Sequence, residues 1–278
     1  MKWFRLSPRW APYVFVAPFF VLFAVFGLFP LLFSLALAFQ SWDPTGGFDS
    51  MRFVGLENFA FALGDEWFWK SLKNTLWLAL IAGAPQHLVA IPLAVFIHRT
   101  SPRLRDWLSG AWFLPYITST VAIAILFSAL FSKDFGLVNA ALHALTGIAL
   151  VDWVGQPAGI QASIAFIVFW RFVGFNTVLY LAALQTIPAD LYEAATMDGA
   201  SRTQQFLHIT LPQLKPMIYF GVTLSVIGGL QLFEEPFILT AGRGGTDQAG
   251  MTSAMYLYRM AFDFNDFGGA SAMSWLLC

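Results

Sequence analysis

The chain has 278 residues, of which 58% are hydrophobic and only 11% are charged, and its formal net charge is -1. A soluble domain carries about 25% charged residues, so this composition excludes an ordinary soluble protein and indicates a chain built for a lipid bilayer. The near-zero charge, with no basic run, gives no sign of a nucleic-acid-binding surface. Because Cys278 is the only cysteine, a disulfide within the chain is excluded.

Long apolar runs dominate the sequence, and about 20 such residues cross the roughly 30 Å of hydrocarbon in a bilayer. In chain order they occupy residues 14–39, 76–97, 108–131, 160–184 and 217–240, and a sixth begins near residue 269. These runs predict an all-α fold, a polytopic membrane helix bundle of about six transmembrane helices. The sixth run covers only about 15 Å before residue 278 and is therefore predicted to be truncated, as in a fragment.

The first apolar run follows Lys2, Arg5 and Arg9. It is too long for a signal peptide, and further spans follow it, so we interpret it as a retained helix. If the N-terminus is inside, the inner segments hold eight basic and four acidic residues, and the outer segments hold six and ten. This bias predicts a cytoplasmic N-terminus at residues 1–13, a transmembrane domain at 14–278, and outward loops at 40–72 and 132–159.

The segment between the fourth and fifth runs predicts two short helices on the cytoplasmic side. Pro188 suits a first helical turn, and Gly199 tolerates a positive φ between two helices. Ser201 and Gln204 have the spacing of a capping box, which starts a second helix. We expect Pro212 and Pro216 to end that helix before the fifth span.

A compact pair of helices of this kind is suited to docking in a groove of a partner protein. The alternative is an ordinary structured loop between spans. The candidate apolar contacts are Leu191, Ala194, Ala195, Phe206 and Leu207.

Charged residues inside the spans are costly in lipid and are usually functional. Arg171 lies roughly 16 Å deep in the fourth span, and Glu234 and Glu235 lie about 9 to 10 Å deep in the fifth. The depths predict an ion pair between Arg171 and one of these carboxylates. The pair either neutralises charge between neighbouring helices or faces a wet solute pathway.

If there is such a pathway, Trp170 or Phe233 offers a ring to the apolar face of a sugar. Gln86 and His87 are weaker candidates, because Pro85 beside them is also explained as a helix kink. The pathway residues are predicted to be Trp170, Arg171, Asn176, Gln231, Glu234 and Glu235.

Two stretches in the cytoplasmic segment, EAATMDGA and FLHITLPQLKP, resemble the EAA loop of permeases in binding-protein-dependent ABC importers. Other stretches resemble the carbohydrate branch of that family, which includes permeases for maltose, lactose and glycerol 3-phosphate. They are FVGLENF at 53–59, KNTLW at 73–77, WRFVGFNTVLYLAALQTIP at 170–188 and FGGASAMSW at 267–275.

The resemblance implies a type I ABC importer permease fold in the bacterial inner membrane. It implies an alternating-access pathway for a sugar or sugar-like solute, formed with a second permease that is expected to be a different protein. The other implied partners are two ATPase subunits, which bind ATP and Mg, an extracytoplasmic solute-binding protein, and membrane lipid. The coupling loop at about 186–216 is then expected to act through Glu193, Ala194, Ala195, Asp198 and Gly199.

The sequence contains no G-x-x-x-x-G-K-[ST] phosphate loop, so we expect a transport subunit without its own ATPase site and without a bound cofactor. The four histidines are scattered, and neither a catalytic site nor a metal site is predicted. The alternatives are an ABC permease for glycerol 3-phosphate, a polyamine, phosphate or a peptide, or a secondary transporter. A secondary transporter is expected to show inverted repeats and has no use for an ATPase-docking loop.

Overall fold

A computed structural model describes residue 7 and residues 9–278, so Lys2 and Arg5 lie outside the described residues. The described chain is mainly helical and has almost no strand, which confirms the predicted all-α fold. The first seven helices are α1 (Ala11–Phe23), α2 (Phe29–Leu37), α3 (Glu57–Gly64), α4 (Glu66–His98), α5 (Pro102–Ile117), α6 (Thr120–Leu130) and α7 (Leu137–Thr146). The others are α8 (Pro157–Leu184), α9 (Ala189–Met197), α10 (Arg202–Gln205), α11 (Leu211–Leu230), α12 (Glu234–Leu239), α13 (Ser253–Phe262) and α14 (Phe267–Leu277).

Within the described residues, four helical segments are long and apolar enough to cross a membrane. They are Ala11–Leu37, Glu66–His98, Pro157–Leu184 and Arg202–Leu239. They match four of the predicted runs. The sixth run forms α14, which has 11 residues in this chain.

The third run is not the single straight helix that the sequence predicted. It forms α5 and α6, which meet at an angle of 90°. Thr118, between them, has an extended backbone with ψ of 147°, and its hydroxyl donates to the Leu114 carbonyl over 2.8 Å. A threonine side chain that takes a helical acceptor competes with the helix, and Pro115 removes a further backbone donor. These local features explain the break.

Two π-helical turns, Ala24–Leu28 and Phe206–Thr210, each lie just before a proline, at Pro30 and at Pro212. A proline ring in an α-helix clashes with the carbonyl four residues earlier, and a wider turn accommodates it. The prediction that Pro212 and Pro216 end the second cytoplasmic helix is therefore wrong. The helix continues from α10 through the π turn into α11.

The chain divides into two compact units. In the first, residues 9–69 and 256–278, strands β1 (Gln40–Ser41) and β2 (Arg52–Phe53) form an antiparallel pair. The Asn58 amide donates to the carbonyls of Ala38 and Gln40 over 3.0 and 2.9 Å. A Cβ on Gly268 of α14 would lie 2.0 Å from the Gln40 carbonyl oxygen, so only glycine permits this close packing.

In the second unit, residues 70–255, helix α8 is the most deeply buried of the long apolar helices that the structure describes. It packs against α5, α6, α11 and α12, and Ile160, Ile164 and Ile167 are fully buried in it. A Cβ on Gly174 would lie 1.7 Å from the Trp112 carbonyl oxygen, so glycine lets α5 lie directly on α8. This unit contains the predicted pathway residues.

Candidate solute pathway and coupling loop

Helices α4, α8, α11 and α12 of the second unit surround a cavity of about 470 Å³. This volume is within the range of small-molecule sites, which combine an apolar wall with a few polar groups. Its polar lining is Gln86, Arg171, Ser225, Gln231, Glu234 and Glu235, and its aromatic lining is Tyr116, Phe172, Phe175 and Phe233.

Arg171 pairs with Glu235 at this cavity. Its Nη1 donates to Glu235 Oε1 over 2.7 Å, and the two side chains are 16% and 5% exposed. The predicted ion pair therefore forms with Glu235, while Glu234 is exposed. The Arg171 guanidinium also lies 5.3 Å from the centre of the Phe172 ring.

The helical segment that carries the two glutamates is interrupted just before them, which the sequence did not indicate. Helix α11 ends at Leu230, and α12 begins at Glu234 after three non-helical residues. The Thr252 hydroxyl donates to the Leu232 carbonyl over 2.6 Å, which satisfies a backbone acceptor that the break exposes. Irregular backbone at membrane depth is tolerated where it is buried or lines a cavity. The break therefore brings both glutamates to the cavity wall.

Gln86 lines the cavity, and Asn176 lies behind it. The Asn176 amide donates to Gln86 Oε1 over 3.2 Å, and Asn176 is 1% exposed. Its Oδ1 is buried without a partner among the described residues. Asn176 is therefore placed to orient Gln86 rather than to touch a solute.

Trp170 does not line the cavity, contrary to the prediction. Its ring packs against Phe127 with centroids 5.3 Å apart, in the core between α6 and α8. His87, a weaker candidate, also lies outside the cavity lining, and its Nδ1 pairs with the Tyr180 hydroxyl over 2.7 Å.

Phe175 lines the cavity but was not predicted. Its spacing of four residues from Arg171 puts both on one helix face.

The predicted cytoplasmic segment folds as a helix, a glycine turn and a second helix. Gly199 has a φ of +79° after α9, in the left-handed region that glycine adopts without a Cβ penalty. Ser201 and Gln204 form the predicted capping box at the start of α10, with bonds of 3.3 and 2.7 Å.

Two hydrogen bonds hold the two arms of this segment together. The Tyr192 hydroxyl of α9 pairs with Thr210 Oγ1 in the π turn over 3.0 Å. The Gln205 amide donates to Thr196 Oγ1 over 3.0 Å. The buried Thr210 lies directly before α11, so Tyr192 connects the first short helix to the start of a membrane span.

The outer surface of the segment is polar with exposed apolar side chains. Leu191 and Leu207 are 41% and 49% exposed, and Ala195 and Phe206 are half-buried. Met197, which the sequence prediction omitted, is 88% exposed. Glu193, Ala194, Asp198 and Gly199 are also exposed.

Residues 90–277 match the family described as "Binding-protein-dependent transport system inner membrane component". The chain belongs to this family. The match covers both the cytoplasmic segment and most of the cavity wall. It confirms the resemblance noted in the sequence and makes the chain a multi-pass inner membrane component of an ABC importer.

Curated relatives match nearly the whole chain. It is 34% identical to the arabinooligosaccharides transport system permease protein AraP of Bacillus subtilis, covering 98% of this chain and 85% of that protein. It is 35% identical to the lactose transport system permease protein LacF of Rhizobium radiobacter, covering 95% and 88%. The inner membrane ABC transporter permease protein YcjO of Escherichia coli is 31% identical, with coverage of 94% and 87%.

Solved structures show the same fold. A chain from a bacterial ABC transporter that imports the acidic polysaccharide alginate superposes with a TM-score of 0.83. It is 26% identical, and the match covers 96% of this chain and 89% of that one. A second structure of a bacterial alginate transporter, in complex with a periplasmic protein that holds an alginate pentasaccharide, gives a TM-score of 0.81 at 26% identity. The type I ABC importer permease fold is thus confirmed.

Proposed function

We propose that this permease forms, with a second and different permease subunit, the membrane pathway for a saccharide. The observation that carries the proposal is the cavity of about 470 Å³ between α4, α8, α11 and α12. Its aromatic rings are suited to the apolar faces of sugar rings, and its amide and carboxylate groups are suited to hydroxyls. The relatives named for arabinooligosaccharide and lactose transport support this solute class.

The remaining subunits follow from the same proposal. Two ATPase subunits bind ATP and Mg and dock on the segment at about 186–216, and this chain binds no cofactor itself. An extracytoplasmic binding protein delivers the solute. The exposed Leu191, Met197 and Leu207 support a docking surface, and the basic bias of the inner segments supports a cytoplasmic N-terminus.

A phosphate-bearing solute fits the cavity poorly. Phosphate recognition favours arginine forks. Arg171, the only arginine or lysine among the described residues that lines this cavity, is already paired with Glu235. The named relatives likewise favour saccharides over a polyamine or phosphate.

The proposal is tested by purifying the chain from its source membrane with an affinity tag and identifying what co-purifies. A second permease and an ATPase are expected in the purified complex. Its ATP hydrolysis is expected to rise when the solute-loaded binding protein is added. A chain that purifies alone and transports its solute on an ion gradient would overturn the proposal.

A further inference from the structure

We infer that the pathway cavity repels anions, so that the solute is an uncharged saccharide and not a uronate or sulfonated sugar. The inference rests on the proposed function and adds the charge of the solute to it. The alginate importer that shares this fold carries an acidic polysaccharide, so likeness of fold leaves the charge of this solute open.

Among the residues that the structure describes, the cavity wall carries one cation and two carboxylates, a formal net charge of -1. The charge of the one cation is already compensated, because Arg171 Nη1 donates to Glu235 Oε1 over 2.7 Å with both side chains largely buried. The Arg171 Nε is buried and has no hydrogen-bond partner among the described residues. Apart from Arg171, the polar side chains that line the cavity carry carboxylate, amide and hydroxyl groups.

Glu234 supplies the uncompensated charge. It lines the cavity and is exposed, and it makes no ion pair with any other residue that the structure describes. Walls of low dielectric focus the field of such a charge into a cleft. A carboxylate on a solute here meets a like charge, whereas a sugar hydroxyl can donate a hydrogen bond to Glu234.

The potential in the cavity is measurable without knowing the solute. Ser225 is half-buried on the same wall, and Cys278 is the chain's only thiol. The assembled importer carries Ser225→Cys and Cys278→Ser in this chain. The thiol introduced at position 225 reacts with two methanethiosulfonates, one with a cationic trimethylammonium-ethyl group and one with an anionic sulfonatoethyl group. Mass spectrometry of the chain measures the rate of each reaction.

The rate with the cationic reagent is divided by the rate with the anionic reagent, and the result is divided by the same ratio for free 2-mercaptoethanol. Any change in the reactivity of the thiol cancels in this double ratio. We expect a value of about ten and a several-fold fall after Glu234→Gln. Asp134→Asn, in a loop outside the cavity lining, is the control and is expected to leave the ratio unchanged. A ratio of one or less, or a ratio that Glu234→Gln does not lower, overturns the inference.

A matched pair of solutes then tests the saccharide itself. Glucose and glucuronate differ only at C6, where a hydroxymethyl group is replaced by a carboxylate. At equal concentration and ionic strength, glucose is expected to slow the labelling of Ser225→Cys more than glucuronate does. Equal effects of the two, including no effect of either, contradict the inference. The rate ratio still reports the potential if the importer proves to carry a different class of solute, so the two failures are distinguishable.

Discussion

Arg171 Nη1 lies 2.7 Å from Glu235 Oε1 and joins the centre of α8 to the first turn of α12. Helix α12 follows a break in the backbone, and it also packs against α6. The ion pair therefore connects two elements of the cavity wall, α8 and α12, and α12 in turn packs on α6. Its desolvation makes each partner depend on the other.

Removing one charge of this pair is expected to destabilise the protein more than removing both. Arg171→Gln or Glu235→Gln leaves a buried charge without a partner, which costs about 3–5 kcal/mol. The double variant leaves none and is expected to recover part of the loss. The apparent melting temperatures of the four proteins in detergent measure this coupling. Additive losses would show that the two side chains are not energetically coupled.

Close packing of α5 on α8 depends on Gly174. We expect Gly174→Ala to reduce the folded yield and to cost about 1–3 kcal/mol or more, because its Cβ would lie 1.7 Å from the Trp112 carbonyl oxygen. Gly110→Ala is the matched control, since a Cβ there has nothing within 4 Å and alanine favours a helix by up to about 1 kcal/mol. Size-exclusion profiles and melting temperatures report both. Equal behaviour of the two variants would refute the packing argument.

The bond between Tyr192 and Thr210 is expected to transmit force from the cytoplasmic segment to α11. Tyr192→Phe removes one hydrogen bond, worth about 0.5–1.5 kcal/mol, and leaves the ring in place. We predict normal assembly but fewer solute molecules carried per ATP hydrolysed. Tyr219→Phe is the control, because that ring is 70% exposed on α11. An unchanged ratio of solute transported to ATP hydrolysed in Tyr192→Phe would contradict a role of this bond in transmitting force.

Variants at Gly199 test the coupling loop, and a control glycine distinguishes a loss of coupling from the cost of backbone strain. Gly199 and Gly55 both have positive φ, and a Cβ at either has open space around it. Alanine at each position is expected to cost about 1 kcal/mol, from the backbone alone. Gly199→Ala, unlike Gly55→Ala, is expected to lower solute-stimulated ATP hydrolysis with membrane insertion intact. Gly199→Asp and Glu193→Lys are expected to lower it more strongly. Equal hydrolysis in the Gly199→Ala and Gly55→Ala complexes would place the coupling elsewhere.

The helical spans and the cytoplasmic segment were predictable, because each has a strong local signal. Apolar length predicted the spans, while Gly199 and the pair Ser201 and Gln204 predicted the turn and the cap of α10. The continuity of α10 with α11 was not predictable, since a π turn that accommodates Pro212 has no simple sequence pattern.

The cavity was predicted less well. The charge of Arg171 required a partner, but depth along an assumed continuous span did not distinguish Glu234 from Glu235. Trp170 was assigned to the pathway by residue type, whereas its helix face turns it into the core against Phe127. The break before α12 depends on tertiary contacts such as the bond from Thr252 to Leu232, which local sequence does not show.

The most direct test of the central claim is uptake of a labelled neutral saccharide into proteoliposomes that contain the purified importer and its binding protein. With ATP inside and no ion gradient, we predict uptake that requires the binding protein and is lost with Gly199→Asp. Uptake that needs a proton or sodium gradient and continues without ATP would contradict the assignment of this chain as an ABC importer permease.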